Sequence, residues 1–275
     1  MNHPCRVTTL SIDSRFADQY YSGTADFLIR LPSIMRNVSR IALTSVEVPQ
    51  VAYVFSAAAG NTSFFMDISG VRKVAGFADG TYTPAGLAGA INATLTQPVT
   101  DVSGLVFSYN SVTNRFSITN GVGAPVAITL SASFATVNMT RYWGLGYWLG
   151  FRTQTFVIPA AATVTATAAP ITTPPAYALV QVQCPDMIES TLHRTAAGSY
   201  VPALAKIVLR GGSYVTQYDD GANLVIKENI YPSQTAITQL RITLVDANGT
   251  LVQMGDTDWS LTLEVTEVVS SLARC

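Results

Sequence analysis

A strand pattern that starts, stops and resumes constrains this chain more than any other feature. Leu240, Ile242 and Leu244 fall on one parity, and so do Trp259, Leu261, Leu263 and Val265. Alternation of this kind sends every second side chain to the buried face of a β-strand. Asp246-Ala247-Asn248-Gly249 between the two runs is a turn sequence, which predicts that they are antiparallel neighbours. Near the start of the chain, Arg6 to Ile12, Phe27 to Leu31 and Ile41 to Val48 read as strands, the last two bounded by Pro32 and Pro49. Later come Tyr177 to Cys184, Ala205 to Arg210 and Asn223 to Lys227. Three early strands and five late ones make eight, the strand number of a jelly roll. The expected fold is all-β: an eight-stranded jelly-roll sandwich with a small β-rich subdomain, carrying one helix, inserted between its third and fourth strands.

The expected domains are therefore a discontinuous jelly roll of residues 1–60 and 157–275, and an inserted subdomain of residues 61–156. Within the insert, Phe64 to Ile68 and the segment to Phe77 predict a hairpin. Thr83 is placed to cap a helix with Pro84 at its first position, since Leu87, Ala90, Ile91 and Leu95 recur at helical spacing. Leu105 to Tyr109 and Arg115 to Thr119 flank a tight turn at Asn110 to Asn114, and a strand at Val126 to Leu130 follows. The glycine and aromatic run from Gly144 to Phe151 predicts a packed corner around Trp143 and Trp148. An Ala/Thr/Pro segment from Pro159 to Pro175 has no charge and reads as an extended, poorly packed connection.

Composition decides what kind of surface covers such a core. Hydrophobic residues are 48% of the 275, but charged residues are only 12%, about half the usual share of a soluble domain. A surface so poor in charge is suited to contact with other chains. Of the 16 basic residues 13 are Arg, the residue favoured at protein interfaces. They are scattered without a run of three, so no track for a nucleic-acid backbone exists and no nucleic-acid partner is expected. No stretch reaches 18 apolar residues and the first residues lack the apolar core of a signal peptide, so the reading is cytosolic synthesis without membrane insertion. Without an export signal, the sequons at Asn37, Asn61, Asn92, Asn138 and Asn248 read as chance.

The chemistry-bearing residues are few. Two histidines, His3 and His193, sit in no hydrolase or metal motif, and the chain is not expected to be an enzyme. The expected catalytic, cofactor-binding and metal residues are none, and so are the cofactors. Gly144, Gly146 and Gly150 lack the strand, helix and distal acid of a dinucleotide loop. Asp219-Asp220 and Asp256 with Asp258 stand beside glycines, as turn residues do. Cys5, Cys184 and Cys275 have no metal spacing; Cys184 reads as core, while Cys5 and Cys275, at the two ends, are a candidate disulfide once a reducing environment is left behind. Asp13 and Arg15, after the first strand, and Trp143, Tyr147 and Trp148, in the glycine-rich corner, are the candidate subunit or arm contacts.

Several of these pieces in this order resemble a known family. Asp13-Ser14-Arg15, Phe27 to Leu31, Asn37-Val38 with Arg40-Ile41, Glu47-Val48-Pro49, Gly80-Thr81-Tyr82-Thr83, Leu149-Gly150-Phe151 and the stretch from Leu240 to Trp259 are similar to the single-jelly-roll penton and minor capsid proteins of nucleocytoplasmic large DNA viruses. The likeness spreads over most of the chain and does not extend to the Ala/Thr/Pro segment or to Cys275. It implies a structural protein of an icosahedral virion: a fivefold vertex capsomer, or a minor capsid protein cementing the major capsomers. It implies as partners copies of itself, as a pentamer, and major or minor capsid proteins, in the capsid of a virus whose proteins are made in the host cytoplasm. A rival of another class is a glycan- or receptor-binding β-sandwich on a virion or cell surface, with Trp143, Tyr147 or Trp148 stacking on a sugar. A degenerate glycan hydrolase would draw on Asp219, Asp220, Asp256 and Asp258, the only clustered acids.

Overall fold

The computed structural model describes residues 4–49, 51, 53–57, 59–98, 100–131, 144–153, 155–173, 176–184, 192–194, 200–209, 216–219, 228–247 and 249–269. The chain divides into two compact units, Met1–Ala52 with Pro174–Cys275, and Tyr53–Thr173. Each is antiparallel β, apart from one lone parallel bridge, and the two α-helices among the described residues both lie in the second unit.

In the first unit six strands form one continuous hydrogen-bonded path because two of them are very long, while Leu192–Arg194 and Tyr200–Pro202 make a separate two-stranded sheet. Asp26–Pro49 has 24 residues and Glu228–Val245 has 18. Each bends and serves two layers in turn. The first half of Asp26–Pro49 pairs with Gln239 to Thr243, its second half with the first residues of Glu228–Val245. Counting each long strand as two, the chain order is Cys5–Asp13 first, the halves of Asp26–Pro49 second and third, Tyr177–Gln183 fourth and Ala205–Val208 fifth. The halves of Glu228–Val245 are sixth and seventh, the sixth preceded by Thr216–Asp219 on the same neighbour, and Ser260–Val268 is eighth. One layer then reads first, eighth, third, sixth, and the other second, seventh, fourth, fifth. That order is the jelly roll.

The alternation of the sequence explains why the layers close on each other. Leu261, Leu263 and Val265 of the last strand, Leu240, Ile242 and Leu244 of the seventh, and Val180 and Val182 of the fourth all enter one buried cluster with Phe27, Ile41 and Val46. Cys184, half-buried, packs against this cluster, its sulfur 3.1 Å from the hydroxyl of buried Tyr231. Burial and that hydrogen bond push the Tyr231 pKa up.

Two local expectations are corrected here. Pro32 does not end a strand: the backbone stays extended through it, because the ladder with Glu228–Val245 is irregular between Arg30 and Val38, where a missing N–H costs no regular pairing. Asn37, in the left-handed region at φ 56°, marks the same bend. The turn at Asp246 to Gly249 closes only a local bridge, Val245 to Leu251. The strands it separates are not neighbours, since the chain there crosses between layers. Asn223 to Lys227, read as the sixth strand, lies outside the described residues.

The second unit has its own core. A four-stranded sheet is ordered Val71–Gly76, Ser63–Ile68, Val126–Thr129, Thr155–Ile158, and a three-stranded sheet Thr163–Thr165, Arg115–Asn120, Leu105–Asn110. Helix Pro84–Leu95 begins as expected: the Thr83 hydroxyl accepts the Gly86 N–H at 3.1 Å with Pro84 at the first position, and Leu87, Ile91 and Leu95 are fully buried. The unit's limits differ from 61–156. On the near side Phe55 and Gly80 exchange backbone hydrogen bonds of 3.1 and 2.9 Å, and Val54 and Phe55 are buried in this core.

On the far side the Ala/Thr/Pro segment is neither loose nor a connection lying elsewhere. Fully buried Asn120 donates through its amide to the carbonyls of Ala124, Ile158 and Pro159, at 2.8, 2.9 and 3.1 Å. Thr163–Thr165 joins the three-stranded sheet, and Ala166 is buried. The Ala168 N–H donates to the Gly150 carbonyl at 3.0 Å and that of Ile171 to the Trp148 carbonyl at 2.8 Å. No side chain fits at Gly150, where φ is 90° and a Cβ would stand 2.1 Å from the Ala168 oxygen.

Candidate subunit-contact site

Asp13 ends the first strand, and its carboxylate accepts the Arg15 N–H at 2.9 Å, capping one turn of 3-10 helix, Ser14–Phe16. The Arg15 guanidinium folds onto the same carboxylate, Nε 3.0 and 3.1 Å from its two oxygens and Nη2 2.6 Å from Oδ2. This two-pronged bond holds the Asp13 pKa below the ordinary carboxylate value and raises that of Arg15.

Ser14 between them is fully buried and ties the turn to Asp258 and Trp259, just ahead of the last strand. Its N–H donates to the Trp259 carbonyl at 2.9 Å, and its hydroxyl accepts the Trp259 N–H at 3.1 Å while donating to Asp258 at 3.0 Å. Its carbonyl accepts the Tyr20 hydroxyl at 2.6 Å. Trp259 is itself pinned: the indole N–H donates to the Thr24 carbonyl at 2.7 Å, and the ring meets Phe27 edge-on with centroids 5.8 Å apart. The corner is therefore rigid.

What this frame holds outward is aromatic and basic. Phe16 is 75% exposed, Tyr20 46% and Tyr21 47%. The Arg15 guanidinium lies 5.6 Å from the centre of the Phe16 ring, and that of Arg241 lies 4.4 Å from Tyr21. Arg241 also grips buried Asp26 with bonds of 2.8 and 2.6 Å. Beside the corner opens a cleft of about 400 Å³, lined in part by Asp13, Arg15, Glu47, Pro49, Asp258 and Ser260. Glu47 accepts the Ser260 hydroxyl at 3.3 Å. Exposed aromatic rings and arginines on a fixed frame are the side chains that carry binding energy between proteins.

The sequence candidates fall in several elements. Asp13 and Arg15 bond to each other. Tyr147 and Trp148 belong to a short helix, Gly144–Leu149, in the second unit. Trp148 is half-buried there, its ring 6.1 Å from that of Phe55, and Arg152 lies 4.9 Å from the Tyr147 ring centre. Trp143 lies outside the described residues, and so do Cys275 and Asp220; Cys5 is exposed at the start of the first strand. Asp219 ends the Thr216–Asp219 strand, Asp258 accepts from Ser14, and Asp256 is an exposed turn residue at φ 60°. Among the described residues no group of three or more His, Cys, Asp or Glu could hold a metal ion, and no helix is long and apolar enough to cross a membrane.

Sequence reasoning passed over Phe16, Ser14 and the Glu47 to Ser260 cleft wall as site residues. Their only signal was proximity to Asp13 and Arg15, since Ser14 and Asp258 meet across 244 positions of sequence.

The chain matches no protein-family model and no curated protein. It is similar to the crystal structure of the mavirus penton protein, with 12% sequence identity and a TM-score of 0.45, over 94% of this chain and 99% of that one.

Proposed function

We propose that this protein is a non-enzymatic structural component of the icosahedral capsid of a large double-stranded DNA virus. Its place is the fivefold vertex, as a pentameric capsomer, or a minor position cementing the major capsomers, and its work is geometric. The observation that carries this reading is the rigid corner Ser14 to Tyr21, which spends buried hydrogen bonds on displaying aromatic and arginine side chains and no catalytic group. The ordered family pattern of the sequence and the jelly-roll strand order support it.

The distribution of charge is in keeping with dense assembly. Arg40 lies between Glu228 and Glu264, Arg241 holds Asp26, Arg15 holds Asp13 and Arg72 holds Asp67. Charge matched within each copy limits like-charge repulsion when many copies meet. In this proposal the two units act as separate domains, the first forming the wedge of the shell and the second engaging adjacent capsomers.

The test is composition of purified virions. The protein should be present in intact particles at a fixed, low ratio to the major capsid protein, and a particle reconstruction should place it at or beside the fivefold axes. Absence from intact particles, with the protein abundant in the producing cells, would overturn the reading.

A further inference from the structure

We infer that the first strand, Cys5–Asp13, pairs with the same strand of a second copy, antiparallel about a two-fold axis at Thr9. The contact goes beyond the capsid reading: it follows from one sheet edge, and as a two-fold contact it leaves any five-fold ring to other surfaces.

Cys5–Asp13 stands at the end of its sheet, and its hydrogen-bonded neighbour among the described residues is Ser260–Val268. The parity of that ladder is fixed at both ends. The Ser14 N–H donates to the Trp259 carbonyl and the Val269 N–H to the Pro4 carbonyl, each at 2.9 Å. Even-numbered residues of the strand therefore turn their backbone groups toward Ser260–Val268, and Val7, Thr9 and Ser11 turn theirs to the open side. All three are exposed, and none has a hydrogen-bond partner on that side among the described residues. N–H and C=O groups at alternate positions along a regular strand match one chemistry, another extended backbone.

Elsewhere the protein guards its edges. In the second unit the Asn92 amide plugs the edge strand Leu105–Asn110, accepting the Phe107 N–H and donating to the Phe107 carbonyl, both at 2.8 Å. Val71–Gly76, at the edge of the four-stranded sheet, carries Arg72 and Lys73. Cys5–Asp13 has no such device along its middle: its nine pairs run without a bulge, and Val7 to Ile12 holds no charge and no proline.

The same sequence selects the occupant. Its one base, Arg6, stands near the start and its one acid, Asp13, at the end. A parallel copy would set Arg6 beside Arg6, whereas an antiparallel copy brings the basic end of each strand to the acidic end of the other. With Thr9 opposite Thr9, Val7 faces Ser11, and each of these hydrogen-bonded pairs exchanges two backbone bonds. Threonines directly opposite each other are a favourable cross-strand pair. Leu10, half-buried at the margin of the core, then lies opposite Thr8 of the second copy and is covered there.

The experiment uses the full chain. Sedimentation equilibrium should show a monomer–dimer equilibrium. Thr9→Lys and Thr9→Glu should each weaken it by about fivefold or more, since each sets like charges opposite across the axis, and an equimolar mixture of the two should recover it as a mixed dimer. Thermal melting of both variants should match that of the wild type at dilutions where all are monomeric, because residue 9 is exposed and its N–H takes no part in the ladder. Amide hydrogen exchange at Val7, Thr9 and Ser11 should be fast in dilute wild type and slowed in concentrated wild type, with Thr8 and Leu10 slow in both. A wild-type chain that stays monomeric, dimers that survive either charge, a mixture that does not recover, or exchange at Val7, Thr9 and Ser11 that ignores concentration each overturns the pairing. Presence in purified virions or absence from them leaves it untouched, so the two readings fail separately.

Discussion

Ser14 does more for the candidate site than any charged residue near it, because one hydroxyl satisfies the Trp259 N–H and an Asp258 oxygen at once. Trp259, 3% exposed, is the other half of that joint. Trp259→Ala is expected to destabilise the protein by about 3 to 5 kcal/mol, measured by chemical denaturation, since it empties the space beside Phe27 and orphans the Thr24 carbonyl. A melting shift under about 2 °C would contradict it. Asp13 supplies a pH prediction. Its folded pKa lies below the ordinary 3.8, so its ionisation contributes stability that is fully present above that value and lost as pH falls through the lowered one. Asn retains the capping oxygen but not the charge. The stability gap between wild type and Asp13→Asn should therefore be present at pH 7 and shrink as pH falls below 3.8, read from urea melts across that range.

At the scale of elements, the glycine-rich corner and the Ala/Thr/Pro segment explain each other. Gly150 turns the chain in the left-handed region, and the space a side chain would need is filled by the Ala168 carbonyl. Gly150→Ala should cost at least about 2 kcal/mol and free the 159–173 segment for proteolysis, a change that limited digestion would show. Neither half of this match was legible alone. Read along the chain, Pro159 to Pro175 has the composition of a linker, and only its partners, Asn120, Gly150 and Trp148, make it part of a sheet and core. The start of the helix at Pro84–Leu95, by contrast, was legible to the residue, because its cap, its proline and its apolar spacing are all local.

For the whole molecule, the proposed separateness of the two units predicts that residues 53–173 expressed alone unfold in a single cooperative transition, checked by calorimetry. A fragment without a melting transition would show that this core depends on the rest of the chain. Self-association through a surface this poor in charge should also tolerate salt. The association constant is expected to fall by less than about tenfold between 0.1 and 0.5 M salt, and a steeper loss would point to a contact made chiefly of charges.

The sequence by itself determined the parts of this protein that depend on near neighbours. Alternation placed the strands, a capping threonine placed the helix, and the scarcity of charge pointed to a surface built for contact. Tertiary structure decided everything that joins distant positions. It made single bent strands of Asp26–Pro49 and Glu228–Val245, assigned residues 159–173 to the second unit, and brought Ser14 against Asp258 and Trp259 beneath an exposed Phe16. The physical reason is range. A strand's parity is written in adjacent residues, whereas a buried hydroxyl shared between residues 14, 258 and 259 exists only once the sandwich has closed.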